Sequence, residues 1–478
     1  MSSLFGALNS AGAALSVFEQ ALSVSQNNID NVSTPGYARQ ALGLEAMSFQ
    51  PLAGLIGGVN SGELQSARDA YADQSVRSQL SAQGSFDQQV QSLTPVNNAF
   101  DLTSQSGIAT AWNNLLQSFS GWSVTPDDVS LQQNVLNNAQ ALATAFQTAA
   151  KTLNQSYTDA DGKVSSLVSQ INILGGQIAS YNQQVQQSTV PDAGMEAKIN
   201  ASLEQLSQLA DVSATKQPDG TYTVLIGGQT PLVIGGQQYN LSNDHAPASA
   251  SAQNQNAPTA ARILDSQGRD ITAQISQGQL GGVLQVRNQF LPSLLGDDTQ
   301  AGDLNTLAKS MADEINGLLT AGQVSSGPPP VNGVALFTYD TTTGTASART
   351  FAVSSGVTAG QLAAIDPGPP VVANGTALKL ANLANTASTA TAIGGMSYTN
   401  FLGVLSSRVG NALTSATNGQ DAQKQAVAQA QTLRDQISGV DLNQEAVQVV
   451  QFQRAYQASA QMVSILNSLT QTVVNMLQ

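Results

Sequence analysis

The sequence contains no cysteine, which removes disulfides, thiolate nucleophiles and cysteine-ligated zinc from consideration. It also removes a bond that would trap a chain obliged to travel unfolded. Charge is scarce: charged residues make up 10% of the chain, against roughly 25% in typical soluble domains. A surface built instead from Ser, Thr, Asn, Gln and Gly repels its neighbours weakly, which suits a protein that packs beside copies of itself. With 17 Lys and Arg against 31 Asp and Glu the net charge is −14, and no Lys/Arg cluster is present. Nucleic-acid binding needs basic patches to displace counterions from phosphates, and anionic membrane surfaces ask for the same, so neither partner is expected. No segment reaches the apolar run of about 20 residues that spans a bilayer, so no membrane insertion is expected. The first Lys or Arg is Arg39. The basic n-region of a cleaved secretory signal is therefore missing, and any route out of the cell is expected to leave the N-terminus intact.

The groups that carry chemistry are equally sparse. The single histidine, His245, falls in a polar stretch and reads as a solvated loop residue. It cannot supply an H-E-x-x-H zinc site, and no G-x-S-x-G elbow is present for a serine triad. Gly162-Lys163 is followed by Val164 rather than Ser or Thr, so there is no P-loop. Asp159-Ala160-Asp161-Gly162 echoes a calcium loop but lacks the third oxygen ligand and the closing Glu; it reads as an interhelical turn. No catalytic residue, cofactor or metal site is expected.

What the sequence does have is concentrated at its two ends. Leu8, Leu15, Leu22 and Ile29 recur every seven residues, with Leu4, Ala11, Phe18 and Val32 in the companion positions and Ser25 as the polar interruption. This is the a/d stripe of a coiled-coil seam. Thr34-Pro35-Gly36-Tyr37 ends it with a type II turn signature, proline fixing φ and glycine supplying φ > 0. At the other end, Ser438-Gly439 breaks a helix, Asp441 is placed to cap the next, and Gln444 completes a capping-box-like pair. Phe452, Ala455, Tyr456, Met462, Val463, Leu466, Leu469, Val473, Met476 and Leu477 follow at helical spacing. A helix of this length is marginal alone in water, so the stripe needs a partner. The N-terminal stripe is the intrachain choice and neighbouring subunits are the other. Both ends are expected to fray in the monomer and to order on assembly.

Between the ends, 478 residues with 41% hydrophobic content allow about three domains. Residues 63–211 read as helices, with Leu131, Val135, Leu142, Phe146 and Leu153 on one face and Leu167, Ile171, Leu174, Ile178 and Tyr181 on another. Asp127 and Asp128 suit a helix start. Val212 to Ile234 reads as strands turned by Pro218-Asp219-Gly220 and Gly227-Gly228, and Ala246 to Ala261 as an exposed loop. Leu304, Leu307, Met311, Ile315 and Leu318 return to helical spacing. Gly327-Pro328-Pro329-Pro330 reads as a stiff domain boundary, followed by short strands at 335–339 and 350–353. The expected fold is α+β and multidomain. Long terminal helices at 1–62 and 438–478 pair as a coiled coil. A mainly helical inner domain covers 63–325 and 397–437, with a β-meander at 212–285, and a small outer β-rich domain is inserted at 326–396.

Both terminal segments also carry motifs. Asn27-Asn28-Ile29-Asp30-Asn31-Val32-Ser33-Thr34-Pro35-Gly36-Tyr37-Ala38-Arg39-Gln40 resembles the N-terminal box of flagellar rod, hook and hook-associated proteins. Ser438-Gly439-Val440-Asp441-Leu442-Asn443-Gln444-Glu445-Ala446, followed by Gln451-Phe452-Gln453-Arg454-Ala455-Tyr456-Gln457-Ala458-Ser459-Ala460, resembles that family's C-terminal box. Asn28, Asn31, Thr34, Pro35, Gly36, Tyr37, Arg39, Gly439, Arg454, Ala455 and Tyr456 carry the match. Gly278-Gln279-Leu280-Gly281-Gly282-Val283-Leu284 with Arg287 and Leu291-Pro292 is similar to a third family motif. The chain departs from the family's pattern at Ala201–Leu206 and at Leu319-Thr320. The resemblance implies a structural component of the bacterial flagellum at the junction of hook and filament. It further implies extracellular assembly after unfolded export through the flagellar type III system. Implied partners are copies of the chain in a ring, the hook protein, a further hook-associated protein on the filament side, and an export chaperone at the C-terminal helix. Two rival readings stay open: another axial protein such as a hook protein, and a secreted enzyme, such as a peptidoglycan hydrolase, on an axial scaffold.

Overall fold

A computed structural model describes residues 2–50, 55–188, 192–248, 257–342 and 345–476. Leu477 of the C-terminal stripe and residues 249–256 of the expected polar loop lie outside them. The fold is α+β and mainly helical. Helix α1 (Ser2–Asp30) leads into a two-stranded antiparallel ribbon, β1 (Gln40–Gln50) and β2 (Leu55–Ser66). Helices α2 (Ala70–Ala99), α3 (Ile108–Val124), α4 (Val129–Gln187) and α5 (Ala193–Leu209) follow. A four-stranded antiparallel meander comes next, made of β3 (Val212–Lys216), β4 (Tyr222–Ile226), β5 (Thr230–Ile234) and β6 (Gln237–Gln238). After the pair β7 (Ser242–His245) and β8 (Ala261–Leu264) the chain is helical again: α6 (Gly278–Gln285), α7 (Leu291–Leu295) and α8 (Asp303–Ala321). Short strands β9 (Gln323–Ser325), β10 (Val331–Asn332), β11 (Phe337–Thr338) and β12 (Ala352–Val353) alternate with α9 (Ser347–Thr350) and α10 (Gly375–Ala381). Helices α11 (Tyr398–Ser438) and α12 (Leu442–Met476) close the chain.

Two compact units result. The first comprises Met1–Ser81, Asn172–Tyr239 and Gln423–Gln478; the second comprises Ala82–Ile171 and Asn240–Ala422. The second holds a large core around Trp112, Phe119, Trp122, Phe146, Leu153, Met311, Phe351 and Tyr398. Each such apolar side chain contributes about 1.5–3 kcal/mol on burial. Trp112 meets Tyr398 edge-on at 5.4 Å, and Phe351 lies between Phe146 and Phe337 at 5.0 and 4.7 Å. On α8, Leu304, Leu307, Met311 and Ile315 are fully buried as their spacing predicts, whereas Leu318 of the same expected face is partly buried. The Asp128 carboxylate accepts the Ser130 and Leu131 amides at 2.7 and 3.3 Å and so caps α4.

Several expectations change. Asp159 to Gly162 form no turn; they lie inside the unbroken α4. There the Asp161 carboxylate takes a structural role, accepting from the buried guanidinium of Arg287 at 2.8 Å. Arg287 in turn sits over the Tyr157 ring at 4.6 Å. His245 ends strand β7 instead of lying in a loop, half-exposed, with Nε2 3.2 Å from Asp161 Oδ1. The meander stops at Gln238, and 278–285 is helix α6: Leu280, Val283 and Leu284 recur at helical spacing and are buried. Gly282 lets α6 pass close to α2, since a Cβ there would stand 2.3 Å from the Ser85 carbonyl oxygen. Glu63 to Ser66 belong to β2 rather than to a helix.

The proline-rich stretch 327–330 is no linker. It is the turn between β9 and β10, which pair antiparallel through Val331 and Ser325. The segment 326–396 has strands of only two residues, β11 pairing β12, and those cannot enclose a core of their own. Its apolar residues Leu336, Phe337, Phe351, Leu362, Leu380 and Ile393 instead join the core of the second unit.

Candidate assembly site

The first unit brings the two sequence ends together. Helix α1 packs against α12 and the β1–β2 ribbon. The helices run antiparallel: Ser25 faces Gln448, while Ala7, Ser10, Ala11 and Ala14 line a groove of about 380 Å³ with Ala458, Ser459, Met462 and Leu466.

At the end of α1 the polar residues Asn27, Asn28, Asn31, Thr34, Tyr37, Arg39 and Gln40 of the N-terminal motif are all engaged in hydrogen bonds. The buried Asn28 side chain brackets the backbone of Gln40, donating to its carbonyl at 2.8 Å and accepting its amide at 2.9 Å. An amide side chain thus supplies both bonds a strand neighbour would make, which starts β1 in register against the helix. Asn31 donates to the Asn27 carbonyl at 2.9 Å and accepts from the Thr34 hydroxyl at 3.0 Å. The Thr34-Pro35-Gly36-Tyr37 turn forms as its residues predict, with the Tyr37 amide bonded to the Thr34 carbonyl at 3.1 Å and Gly36 at φ +74°. Gly36 also lies against α5, where a Cβ would stand 2.5 Å from the Ala197 carbonyl oxygen. The Arg68 guanidinium donates to the Gly36 carbonyl and pairs with Asp73 at 2.9 Å.

The Tyr37 hydroxyl lies 2.9 Å from the side-chain oxygens of both Asn27 and Asn28. Burial, and then the negative charge of Glu445, push its pKa up to about 12.

Arg39 joins the two motifs. Its amide donates to the Ser438 carbonyl at 2.9 Å, and its guanidinium donates to Glu445 at 2.6 Å. Glu445 is fully buried in the first turn of α12. The Ser438 hydroxyl accepts the Asp69 amide at 3.1 Å, and the Ala67 amide bonds to the Arg39 carbonyl at 2.8 Å. Gly439 is required by crowding: a Cβ there would stand 2.3 Å from the Asp435 carbonyl oxygen. Asp441 caps α12 by accepting the Asn443 and Gln444 amides at 2.8 and 3.3 Å; the return bond from the Gln444 side chain is not formed. Deeper in the same unit, Arg434 pairs with Glu204, whose carboxyl burial raises above its ordinary range against the pull of that guanidinium.

The expected seam residues divide into two groups. Leu4, Leu8, Ala11, Leu15, Phe18, Leu22 and Ile29 are half-buried on α1, as are Phe452, Ala455, Tyr456, Val463, Leu466 and Val473 on α12. Met462, Leu469 and Met476 are exposed, and Val32 lies exposed in the turn after α1. The fully buried line on α1 is Val17, Ala21, Ser25 and Asn28, so the packed seam is rotated from the heptad stripe and Ser25 lies within it. Arg454 is exposed, with no ion-pair partner among the described residues. Sequence reasoning missed the β1–β2 ribbon and the Arg39–Glu445 pair. The ribbon's signal is Pro51 and Gly54 between two strand-length runs. The pair's signal is a carboxylate in the first turn of a helix with almost no other charge.

These two joined ends define an axial type of protein, one whose termini form a single helical body. The comparisons narrow the class. Residues 93–337 match the helical domain of the flagellar hook-associated protein FlgK, and residues 434–476 match the C-terminal region of the flagellar basal body rod FlgEFG proteins. Flagellar hook-associated protein 1 of Bacillus subtilis is 24% identical over 99% of both chains. Its Escherichia coli counterpart is 26% identical over 68% of this chain and 59% of its own length, and the Salmonella typhimurium one 28% over 68% and 58%. The chain thus spans about six-tenths of those two relatives. The hook junction protein FlgK of Burkholderia pseudomallei has the same fold, with a TM-score of 0.62 at 16% identity, covering 77% of this chain and all of that one. The chain belongs to the flagellar hook-associated protein FlgK family.

Proposed function

We propose that this chain is a structural component of the bacterial flagellum that forms the junction between hook and filament and has no catalytic role. The observation that carries the reading is the Arg39–Glu445 latch, which fuses the N-terminal and C-terminal motifs of an axial family into one body. A further support is the surface left over. Val447, Val450, Met462, Ile465, Leu469 and Val474 on α12 are each 44–57% exposed. Completing their burial against neighbouring subunits would yield about 5–9 kcal/mol, a driving force the lone chain leaves unused. The described helices include none long and apolar enough to cross a membrane, so these faces call for protein partners.

In this reading copies of the chain form a ring, hook protein packs on one side and a second hook-associated protein on the other. The chain leaves the cell unfolded through the flagellar type III system, and a chaperone holds α12 beforehand. The latch region is ordered in the free chain, and the reaches of α1 and α12 beyond it order on assembly. Amide exchange on the dilute chain tests that part: strong protection throughout α1 and α12 would overturn it. Deleting Leu442 onward tests the whole reading. Cells carrying that truncation are expected to build hooks and to shed filament subunits, and normal filaments would defeat the proposal.

A further inference from the structure

The terminal helices are almost free of charge, and the exceptions are placed with a regularity the latch does not explain. From Met1 to Ile29 the one charged side chain is Glu19; beyond Glu445 the one charged side chain is Arg454. The two stand at the same level of the antiparallel pair. Ser25 faces Gln448 at one rung, and Ala14 shares a groove with Ala458 and Ser459 at another. Glu19 and Arg454 fall midway between these rungs on their respective helices. Both are exposed, and neither has an ion-pair partner among the described residues.

On the reading above, the surfaces around them become buried between subunits. A lone guanidinium or carboxylate taken out of water is strongly unfavourable unless it meets an opposite charge. Arg454 is the one Lys or Arg of the two helices, and of the two carboxylates on α1, Glu19 and Asp30, Glu19 is the one at its height.

We propose that Arg454 of one copy pairs with Glu19 of the adjacent copy, and that this pair sets the lateral register of the ring. The contact is heterologous, the α12 face of one subunit meeting the α1 face of the next, which is the kind of contact that propagates around a ring. A single opposite-charge pair in an otherwise neutral helical seam fixes register as buried polar positions do in coiled coils. The inference rests on the proposed junction role.

The cysteine-free sequence makes a direct test clean. Full-length Glu19→Cys and Arg454→Cys chains, differently tagged, are produced together in flagellated cells lacking the native chain. Isolated flagella are then treated with a short bis-maleimide. The expected product is a dimer carrying both tags, with none formed between two Glu19→Cys copies. Chain present in flagella but only monomeric would overturn the pair while leaving the junction role intact. A chain carrying both cysteines that closes on itself into a fast-migrating monomer would likewise overturn it. Absence of the unmodified chain from flagella would overturn the junction role and the pair together. Charge reversal gives an independent reading. Glu19→Lys alone and Arg454→Glu alone are each expected to lose filaments, whereas the two chains produced together alternate complementary charges and restore them. Co-production that does no better than either variant alone would refute the pairing between copies.

Discussion

Replacing Arg39 by Met tests the latch at its centre. The substitution keeps most of the aliphatic volume and removes the one cation bonded to Glu445, whose side chain is fully buried. Glu445 Oε2 has no hydrogen-bond partner of its own among the described residues, so the Arg39 bond to the other oxygen is the main compensation for holding that carboxylate out of water. Breaking a buried pair by removing one partner costs about 3–5 kcal/mol. The upper end is limited because an orphaned carboxylate can take up a proton. Neutralising an ordinary glutamate at pH 7 costs about 1.4 kcal/mol for each unit above its reference value near 4.3, or about 3.7 kcal/mol in all. The expected loss for Arg39→Met is therefore about 3–4 kcal/mol at pH 7.

Two compact units make a single two-state unfolding energy ill-defined, so the readout should be local. Amide exchange across residues 28–40 and 438–446 is expected to accelerate by about 150- to 900-fold in Arg39→Met, with α3 and α8 unchanged. Arg39→Met combined with Glu445→Gln removes the buried charge together with its partner, and should recover most of the protection. Acceleration below about threefold, or a double variant no better than the single one, would refute the claim that this ion pair holds the two motifs together.

Four further substitutions have defined outcomes. Gly36→Ala forces a side chain into positive φ and against the Ala197 carbonyl, and should lower the melting temperature by several degrees. Gly12→Ala, with open space around its Cβ, should be neutral or stabilising by up to about 1 kcal/mol; calorimetry on the pair checks both. Tyr37, with its pKa raised to about 12, favours the folded state fully below the unfolded tyrosine value near 10, and this contribution is lost as pH rises from about 10 to 12. Tyr37→Phe should accordingly show a shallower loss of stability over that window, measured by circular dichroism against pH. Trp112→Ala, at the centre of the second unit's core, should cost about 3–5 kcal/mol, read as faster amide exchange in α3 and α8 with exchange at residues 28–40 unchanged.

Legibility in the sequence followed periodicity. The faces of α4 and α8, the Thr34–Tyr37 turn and the Asp441 and Asp128 caps were all readable because each depends on local geometry. What could not be read was decided by distant packing. Within the unbroken α4, Asp161 is taken up by Arg287, which is 126 residues away in sequence. The fate of 326–396 depends on whether Phe337 and Phe351 find Phe146. Two-residue strands at Thr338 and Ala352 show the same pattern locally whether they form a domain or line another one's core. Arg39 and Glu445 were visible as motif residues, but nothing near either in sequence reveals that they meet.

The rotation of the terminal seam carries the most information about function. A heptad count assigns the large residues Leu8, Leu15, Phe18 and Leu22 to the helix pair and treats Ser25 as a flaw. Instead the most buried line on α1 is Val17, Ala21, Ser25 and Asn28. Small residues there let the helices approach, and Asn28 must point inward to bracket Gln40. The large side chains are thereby displaced to the flanks, half-buried, with Phe5 exposed beyond them. The polar bracket at Asn28 thus settles two things at once: it starts the β1 strand, and it leaves the large side chains of α1 on the flanks of the seam, half-buried, as surface that the proposed contact between copies would cover.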